Sequence, residues 1–236
     1  MCDSAMILAA GEGRRMRPLS LGTPKPLLKV GGRAMLDWAL DKVAAAGVKR
    51  AVVNAFYLAG QIEAHGAARR DIEIIISRED QLLDTGGGIK HALSHFDKPF
   101  FALNADLPWT EGAVPALRRM ADFWDAGKMD VLLLLMTREK ARGFVKGDFA
   151  LAPDGRAHRR DEAVLLQVML AAQIVKPDLY QAVPELVFSN NRVWDAAEAA
   201  GRLYGIEHDG GAYHVGTPAD LAEANRLIES GEGWRL

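Results

Sequence analysis

The densest chemistry lies in Leu8-Ala9-Ala10-Gly11-Glu12-Gly13-Arg14-Arg15-Met16-Arg17-Pro18, followed by Pro24-Lys25-Pro26. The apolar run Ala5 to Ala9 feeds straight into two glycines. Glycines let backbone N–H groups approach an anion closely and take up positive φ. Arg14, Arg15, Arg17, Lys25 and Lys29 follow, with no acidic residue between Glu12 and Asp37. In a chain of net charge −2 this is a local positive patch. Guanidinium forks match phosphate oxygens, and lysine supplies a mobile point charge. The guest that fits is a nucleoside triphosphate; the alternative is a solvated basic loop between strand and helix. Two familiar phosphate loops are excluded. The G-x-G-x-x-G fingerprint fails because Met16 stands three residues after Gly13, and no Gly-Lys-Ser/Thr occurs.

A second glycine-rich stretch, Leu83-Asp84-Thr85-Gly86-Gly87-Gly88-Ile89, stands before a predicted helix. It reads as backbone packed against a ligand at a helix N-terminus, or as a flexible turn. Phe100-Phe101-Ala102-Leu103-Asn104-Ala105-Asp106 is an apolar strand ending in a carboxylate. Ligands of parallel α/β sheets sit at the carboxyl ends of strands, where Asp106 suits a Mg²⁺ bridging phosphate oxygens. A turn cap is the alternative for an isolated strand-end aspartate.

The segment Leu8 to Pro18 with Pro24-Lys25-Pro26 resembles the signature of sugar-1-phosphate nucleotidyltransferases, L-A-A-G-x-G-T-R-[ML]-x-P followed by K-P. Arg14 departs from it, standing where that family often has threonine. The resemblance implies that Gly11 and Gly13 cradle the phosphates and that Arg15 grips the pyrophosphate leaving group. It implies that Lys25 reaches the α-phosphate or the incoming sugar phosphate. Thr85, Gly86 and Gly87 would face base and ribose, and Ala9, Ala10, Arg14, Glu79 and Asn104 complete the implied nucleotide set. Asp106 takes the metal aspartate's place. Tyr213-His214-Val215-Gly216-Thr217-Pro218 resembles the family's W-x-D-V-G-T segment, with His214 where its second aspartate would be. Imidazole is a poorer Mg²⁺ ligand than carboxylate. His214 therefore ligates or touches a bound water, favours Mn²⁺, or only packs. Asp209 lies nearby without a sign that it substitutes. The string from Glu79 through LLDTGGGI resembles the bacterial N-acetylmuramate-1-phosphate uridylyltransferases, as does Gly147-Asp148-Phe149. There Asp148 would face the sugar, unless it is a turn residue. Asn191, after Ser189-Asn190, is a further sugar-side candidate or a helix cap.

Alternating patterns must position these groups. Ala5–Ala9, Val48–Asn54, Ile72–Ile76, Pro99–Leu103 and Val131–Met136 read as buried strands. Helices are expected around Leu36–Val43 with Gly47 after it, and over Leu58–His65, Gly86–His95 and Val114–Ala126. Strand–helix alternation implies right-handed crossovers and a mostly parallel sheet. After residue 140 the rhythm changes, with strand-like pieces around Phe149–Leu151 and a Pro153-Asp154-Gly155 hairpin turn. Val164–Val175 reads as a strand returning to the core, Asn191–Ala200 as a helix and Leu203–Glu207 as a strand. Thr217, Pro218 and Asp220 announce the last helix as N-cap, N1 and N3. The expectation is an α/β, Rossmann-like single domain over residues 1–236, with a mostly parallel sheet flanked by helices and a small β-rich insertion. Residues 1–140 would bind nucleotide, and 141–236 would bind sugar and end in a helix.

With 49% hydrophobic and 25% charged residues, the composition is ordinary globular usage. The near-neutral balance gives no global field for nucleic acid or a membrane surface. One cysteine, Cys2, cannot make an internal disulfide, and no apolar run is long enough to span a bilayer. The opening Met1-Cys2-Asp3-Ser4 lacks a basic n-region, so a cytoplasmic protein is expected. The resemblance implies a Mg²⁺-dependent transferase (with Mn²⁺ as a substitute) taking an NTP and a sugar 1-phosphate. The first expectation is UTP with N-acetylmuramate 1-phosphate. Guanylyl transfer to mannose 1-phosphate and a non-catalytic nucleotide-sugar sensor are the alternatives; a Rossmann oxidoreductase is disfavoured by Met16.

Overall fold

The computed structural model describes residues 2–144, 146–159 and 167–231. In chain order the strands and helices of the first half are β1 (Ser4–Leu8), β2 (Lys29–Val30), β3 (Arg33–Ala34), α1 (Met35–Ala45), β4 (Arg50–Ala55), α2 (Ala59–Ala67), β5 (Glu73–Arg78), α3 (Asp84–His91) and β6 (Phe100–Asn104). Then come α4 (Ala116–Phe123), β7 (Val131–Thr137), β8 (Ala141–Arg142), β9 (Ala150–Leu151), β10 (Ala157–His158) and β11 (Gln167–Val175). The last are α5 (Asp178–Gln181), α6 (Asn191–Ala199), β12 (Leu203–Glu207), β13 (Ala212–Tyr213) and α7 (Pro218–Ser230).

Seven strands form one sheet in the order β12-β7-β11-β6-β1-β4-β5. Every neighbouring pair is parallel except those of β11, which runs antiparallel to both β6 and β7. Helices cover both faces, so the central strands bury both sides and read as continuous apolar runs. Ala5 and Ile7 of β1 join the cluster of Leu36, Leu40 and Val43 from α1. Met6 points the other way, to Ile89 of α3 and Val193 of α6. This is strand alternation at period 2. Leu132 to Leu135 of β7 are fully buried; each such side chain contributes roughly 1.5–3 kcal/mol.

The expected strands and helices form with shifted ends. α4 begins at Ala116 because Pro115 takes its N-cap, and it stops at Phe123, short of Ala126. The predicted helix to His95 ends at His91, and a 3-10 turn, Leu93–His95, finishes it. The Pro153-Asp154-Gly155 signal is a true antiparallel hairpin, β9 with β10, with Gly155 at φ 86°. Of the expected strand Val164–Val175, positions 164–166 lie outside the described residues and the rest is β11. Thr217 and Asp220 form a reciprocal capping box on α7, with Pro218 at N1; such a cap is worth about 1 kcal/mol.

Candidate active site

The chain runs from β1 out to β4 and β5, then back across to β6 on the other side of β1. The strand order therefore reverses beside β1, and a crevice opens at the carboxyl ends there. A cleft of about 560 Å³ lies in that crevice, lined by residues that follow four parallel strands: Ala9 after β1, Asn54 in β4, Glu79 after β5, and Asn104 and Asp106 at the end of β6. A larger surface depression, about 690 Å³, lies at the amino ends of β4 and β5, around Lys49 and Asp71, away from this chemistry.

The basic loop forms one wall of the cleft, contributing Ala9, Ala10, Gly11, Gly13, Arg14, Arg15, Met16 and Lys25. Short 3-10 turns at Arg14–Met16 and Lys25–Leu27 fold it back on itself. Gly13 sits at φ 58°, and a Cβ there would lie 2.8 Å from the Lys25 Cβ, so only glycine lets the two segments touch. The Ala9 amide donates to Asn54 Oδ1 at 2.7 Å. Among the described residues, the amides of Ala10, Gly11, Glu12 and Gly13 make no hydrogen bond to the chain, leaving a run of open donors. Arg15 is exposed and has no carboxylate partner among the described residues. Arg14 is spent differently, pairing with Glu12.

Lys25 is 8% exposed, and its ammonium lies 2.6 Å from Asp106 Oδ2. These residues are 81 positions apart and meet only because β6 lies beside β1. His214 stands next to them. A Cβ on Gly216 would lie 2.8 Å from His214 Nε2 and 3.4 Å from Arg15 Nη1. Burial pushes the His214 pKa down, against the pull of Asp106 and with the push of Lys25 and Arg15. The ring is thus neutral at neutral pH and offers a lone pair. Asp209 is elsewhere, held by Arg119 and by the Ala113 amide.

Glu79 and Thr85 also line the cleft, with Leu82, Asp84 and Val187. Glu79 is buried and accepts from Asn54 Nδ2 at 2.7 Å and from the Leu83 amide at 3.3 Å. Burial raises its pKa, partly opposed by those two bonds.

The glycine triplet is not a loop. Gly86, Gly87 and Gly88 are buried inside α3, outside the cleft lining, and the Gly86 and Gly87 amides donate to the Phe188 carbonyl at 2.9 and 3.0 Å. They are small so that the 186–190 segment can lie flat on the helix: a Cβ on Gly87 would stand 2.1 Å from the Leu186 carbonyl oxygen. Gly87→Ala should therefore destabilise the protein by about 1–3 kcal/mol, as overpacking does. Gly11→Ala, where a Cβ meets nothing within 4 Å, should leave the melting temperature unchanged. Thermal melts of the two variants check this contrast; equal melting temperatures would count against it.

Asp148 and Asn191 are exposed and outside the cleft lining. Asp148 precedes β9, its amide bonded to the Gln167 carbonyl at 2.7 Å, and Asn191 opens α6. Its neighbour Asn190 is the residue tied to the cleft wall: buried, it accepts from the Tyr180 hydroxyl at 2.6 Å and donates its amide to Thr85 Oγ1 at 2.9 Å. Outside the Leu8–Pro18 and Pro24–Pro26 signature, five residues of the cleft wall had been given no site role from sequence: Asn54, Leu82, Asp84, Val187 and Gly216. Asn54 was signalled as the polar residue closing the apolar run Ala51-Val52-Val53.

Among solved structures, UDP-glucose pyrophosphorylase of Acinetobacter baumannii superimposes with a TM-score of 0.81 at 14% identity, covering 99% of this chain and 96% of that one. The fold is that of the nucleotide-diphospho-sugar transferases. The MobA-like NTP transferase domain matches residues 5–174, and the chain belongs to that family. N-acetylmuramate alpha-1-phosphate uridylyltransferase of Caulobacter vibrioides is 41% identical, covering 96% of this chain and 97% of its own length. Its namesake from Neisseria meningitidis serogroup B is 31% identical over 94% and 97%.

Proposed function

We propose that the chain transfers a uridylyl group from UTP to N-acetylmuramate 1-phosphate, releasing pyrophosphate and UDP-N-acetylmuramate. The observation that carries the reading is one cleft at the strand-order reversal that holds the Lys25–Asp106 pair and, with no partner among the described residues, the loop amides and Arg15. The substrates are taken from relatives similar over nearly the whole chain. A sugar phosphate is mostly dianionic at neutral pH, its second pKa being about 6, so it needs no general base. Its oxygen attacks the α-phosphorus in line, and pyrophosphate departs opposite. Open amides from Ala10 to Gly13 and Arg15 receive the departing charge, while Lys25 steadies the α-phosphate or the incoming phosphate. Asp148 and Asn191 are retained in the proposal as sugar-side contacts.

The donor set fits a substrate-bridging metal. Among the described residues no group of three or more His, Cys, Asp or Glu side chains clusters tightly enough to cage a cation. Mg²⁺ is commonly held by one or two carboxylates, with phosphates and water completing six ligands. Asp106 would hold it, with neutral His214 alongside; when bound, the ion neutralises charge developing between phosphoryl oxygens. His214→Asp should lower the Mg²⁺ concentration needed for half-maximal rate, and His214→Ala should raise it. Equal metal dependence in both variants and wild type would leave His214 a packing residue against Phe144, whose ring centre lies 5.3 Å away.

Pyrophosphate release measured with Mg²⁺ and each NTP–sugar phosphate pair tests the function. UTP with N-acetylmuramate 1-phosphate should be fastest; GTP with mannose 1-phosphate in first place would replace the substrate assignment. No release with any pair, alongside UTP binding, would favour a nucleotide sensor. No helix among the described residues is long and apolar enough to cross a membrane.

A further inference from the structure

His208 is fully buried, yet its ring spends only one nitrogen. Nε2 lies 3.0 Å from the Thr110 carbonyl oxygen, while Nδ1 has no partner among the described residues. A carbonyl only accepts, so Nε2 carries the proton and donates. Burial lowers the pKa of the ring, which keeps it neutral. A buried nitrogen without a partner costs stability, and an apolar side chain would avoid that cost. What an apolar side chain lacks is the donor. Thr110 is spent on the same partner segment. Its amide donates to the Gly211 carbonyl at 2.8 Å, and its Oγ1 accepts from the Gly211 amide at 3.0 Å. Trp109 bridges Ala212 in antiparallel fashion, and the Tyr213 amide donates to the Pro108 carbonyl at 3.3 Å. A Cβ on Gly210 would stand 2.7 Å from His208 Nε2 and closer still to the Thr110 oxygen, so the two segments lie in tight contact.

These segments carry the two groups placed at the metal. Residues 106–112 follow β6 and begin with Asp106; residues 208–214 follow β12 and end with His214. β12 is parallel to β7, and β7 and β6 both run antiparallel to β11, so both segments leave the same edge of the sheet. β7 and β11 stand between β12 and β6. At the usual strand spacing that separates the two departure points by about 14 Å. The sheet alone therefore does not bring His214 to Asp106; the segments must cross the gap and be pinned. β8 pairs with β13, which ties His214 to the chain after β7 rather than to Asp106. We propose that Thr110 and His208 are positioning residues: the Nε2–H bond to the Thr110 carbonyl, with the Thr110–Gly211 bonds, pins the segment ending in His214 to the one beginning at Asp106 and sets the separation of those two groups. This rests on Asp106 and His214 standing at the metal as proposed above.

The test compares wild type with three variants. His208→Gln keeps a side-chain N–H donor, His208→Phe keeps a ring without one, and Thr110→Val keeps the shape but loses Oγ1. Each is titrated with Mn²⁺ in the presence of UTP and without sugar phosphate, the bound ion being read by electron paramagnetic resonance, so that no turnover enters. Losing a group that orients a metal ligand typically weakens metal binding by about 10–100-fold; acting through one further residue, His208→Phe should weaken it about tenfold. His208→Gln should stay within about twofold of wild type, and Thr110→Val should weaken binding about threefold. The Mg²⁺ concentration for half-maximal rate should move by the same factors, with the plateau rate within about twofold. A residue that only stabilises the fold would lower the melting temperature and leave both metal curves unmoved. Wild-type Mn²⁺ affinity in folded His208→Phe, or equal weakening in His208→Gln, would overturn the proposal. Should His208→Phe fail to fold, Thr110→Val decides: unchanged affinity overturns the proposal, and the expected weakening at a wild-type melting temperature supports it. If wild type turns over no sugar phosphate, the functional reading fails separately and the Mn²⁺ titration still decides the role of these residues. A wild-type protein that retains no Mn²⁺ with UTP would remove the metal pair and this proposal with it.

Discussion

Lys25→Ala is expected to lower kcat by two to three orders of magnitude while the fold persists. Lys25 is the buried cation of the cleft, its ammonium 2.6 Å from Asp106. A fixed charge that meets a developing anion in a water-poor site typically contributes about 2.7–4 kcal/mol to the transition state. Alanine removes that charge and also leaves Asp106 uncompensated beside the place where triphosphate must lie. Lys25→Met separates charge from bulk, because it keeps an unbranched apolar stem against Gly13. Both variants should lose turnover alike and melt near wild type. Arg15→Ala should show a similar loss with less effect on stability, since Arg15 is exposed and without a carboxylate partner among the described residues. Near-wild-type initial rates in either position would remove that residue from the mechanism.

Asp106→Asn should reduce Mg²⁺-dependent activity to background. The amide keeps an oxygen for Lys25 to donate to, so the loop stays anchored, but it lacks the charge that competes for a divalent ion. In wild type Asp106 is held by Lys25 at one oxygen and is about one-third exposed, with its side chain open to the cleft. A metal arriving with the triphosphate meets a carboxylate already oriented by the lysine. Initial rates across a Mg²⁺ titration check this. A variant with the wild-type half-saturation and plateau would place the cation on other groups and would falsify the strand-end assignment.

The framework was legible because it is written in short-range patterns. Continuous apolar runs of five to seven residues marked β1, β6 and β7, whose both faces are buried. The α7 capping box and the β9–β10 hairpin were announced by residues within four positions of each other. The loop carrying Arg15 and Lys25 stood out by charge against a near-neutral chain. What stayed hidden depends on distant segments. The Lys25–Asp106 pair spans 81 positions, and the Thr85–Asn190 bond spans 105. The glycine triplet was read as backbone against a ligand, or as a flexible turn, at the start of the helix expected over Gly86–His95; its cause, the backbone of Leu186–Phe188 lying on α3, comes from about 100 residues away in sequence and has no local signature. Nor did any local signal show that β11 would enter the sheet antiparallel between β6 and β7.

That strand has a consequence for cutting the chain. β11 closes the β6 edge through Ala172–Val175 and the β7 edge through Gln167–Val175, with a bulge where Ala171 takes φ 56°. A recombinant fragment stopping near residue 140 would carry the whole cleft lining up to Asp106 yet leave β6 an open apolar edge and β7 with neither neighbour. Such edges template association between copies, so the fragment should express as aggregate. The last-synthesised third of the chain thus acts as the seal on the first two, and the nucleotide cleft would become a soluble, ordered object only once the ribosome has delivered β11.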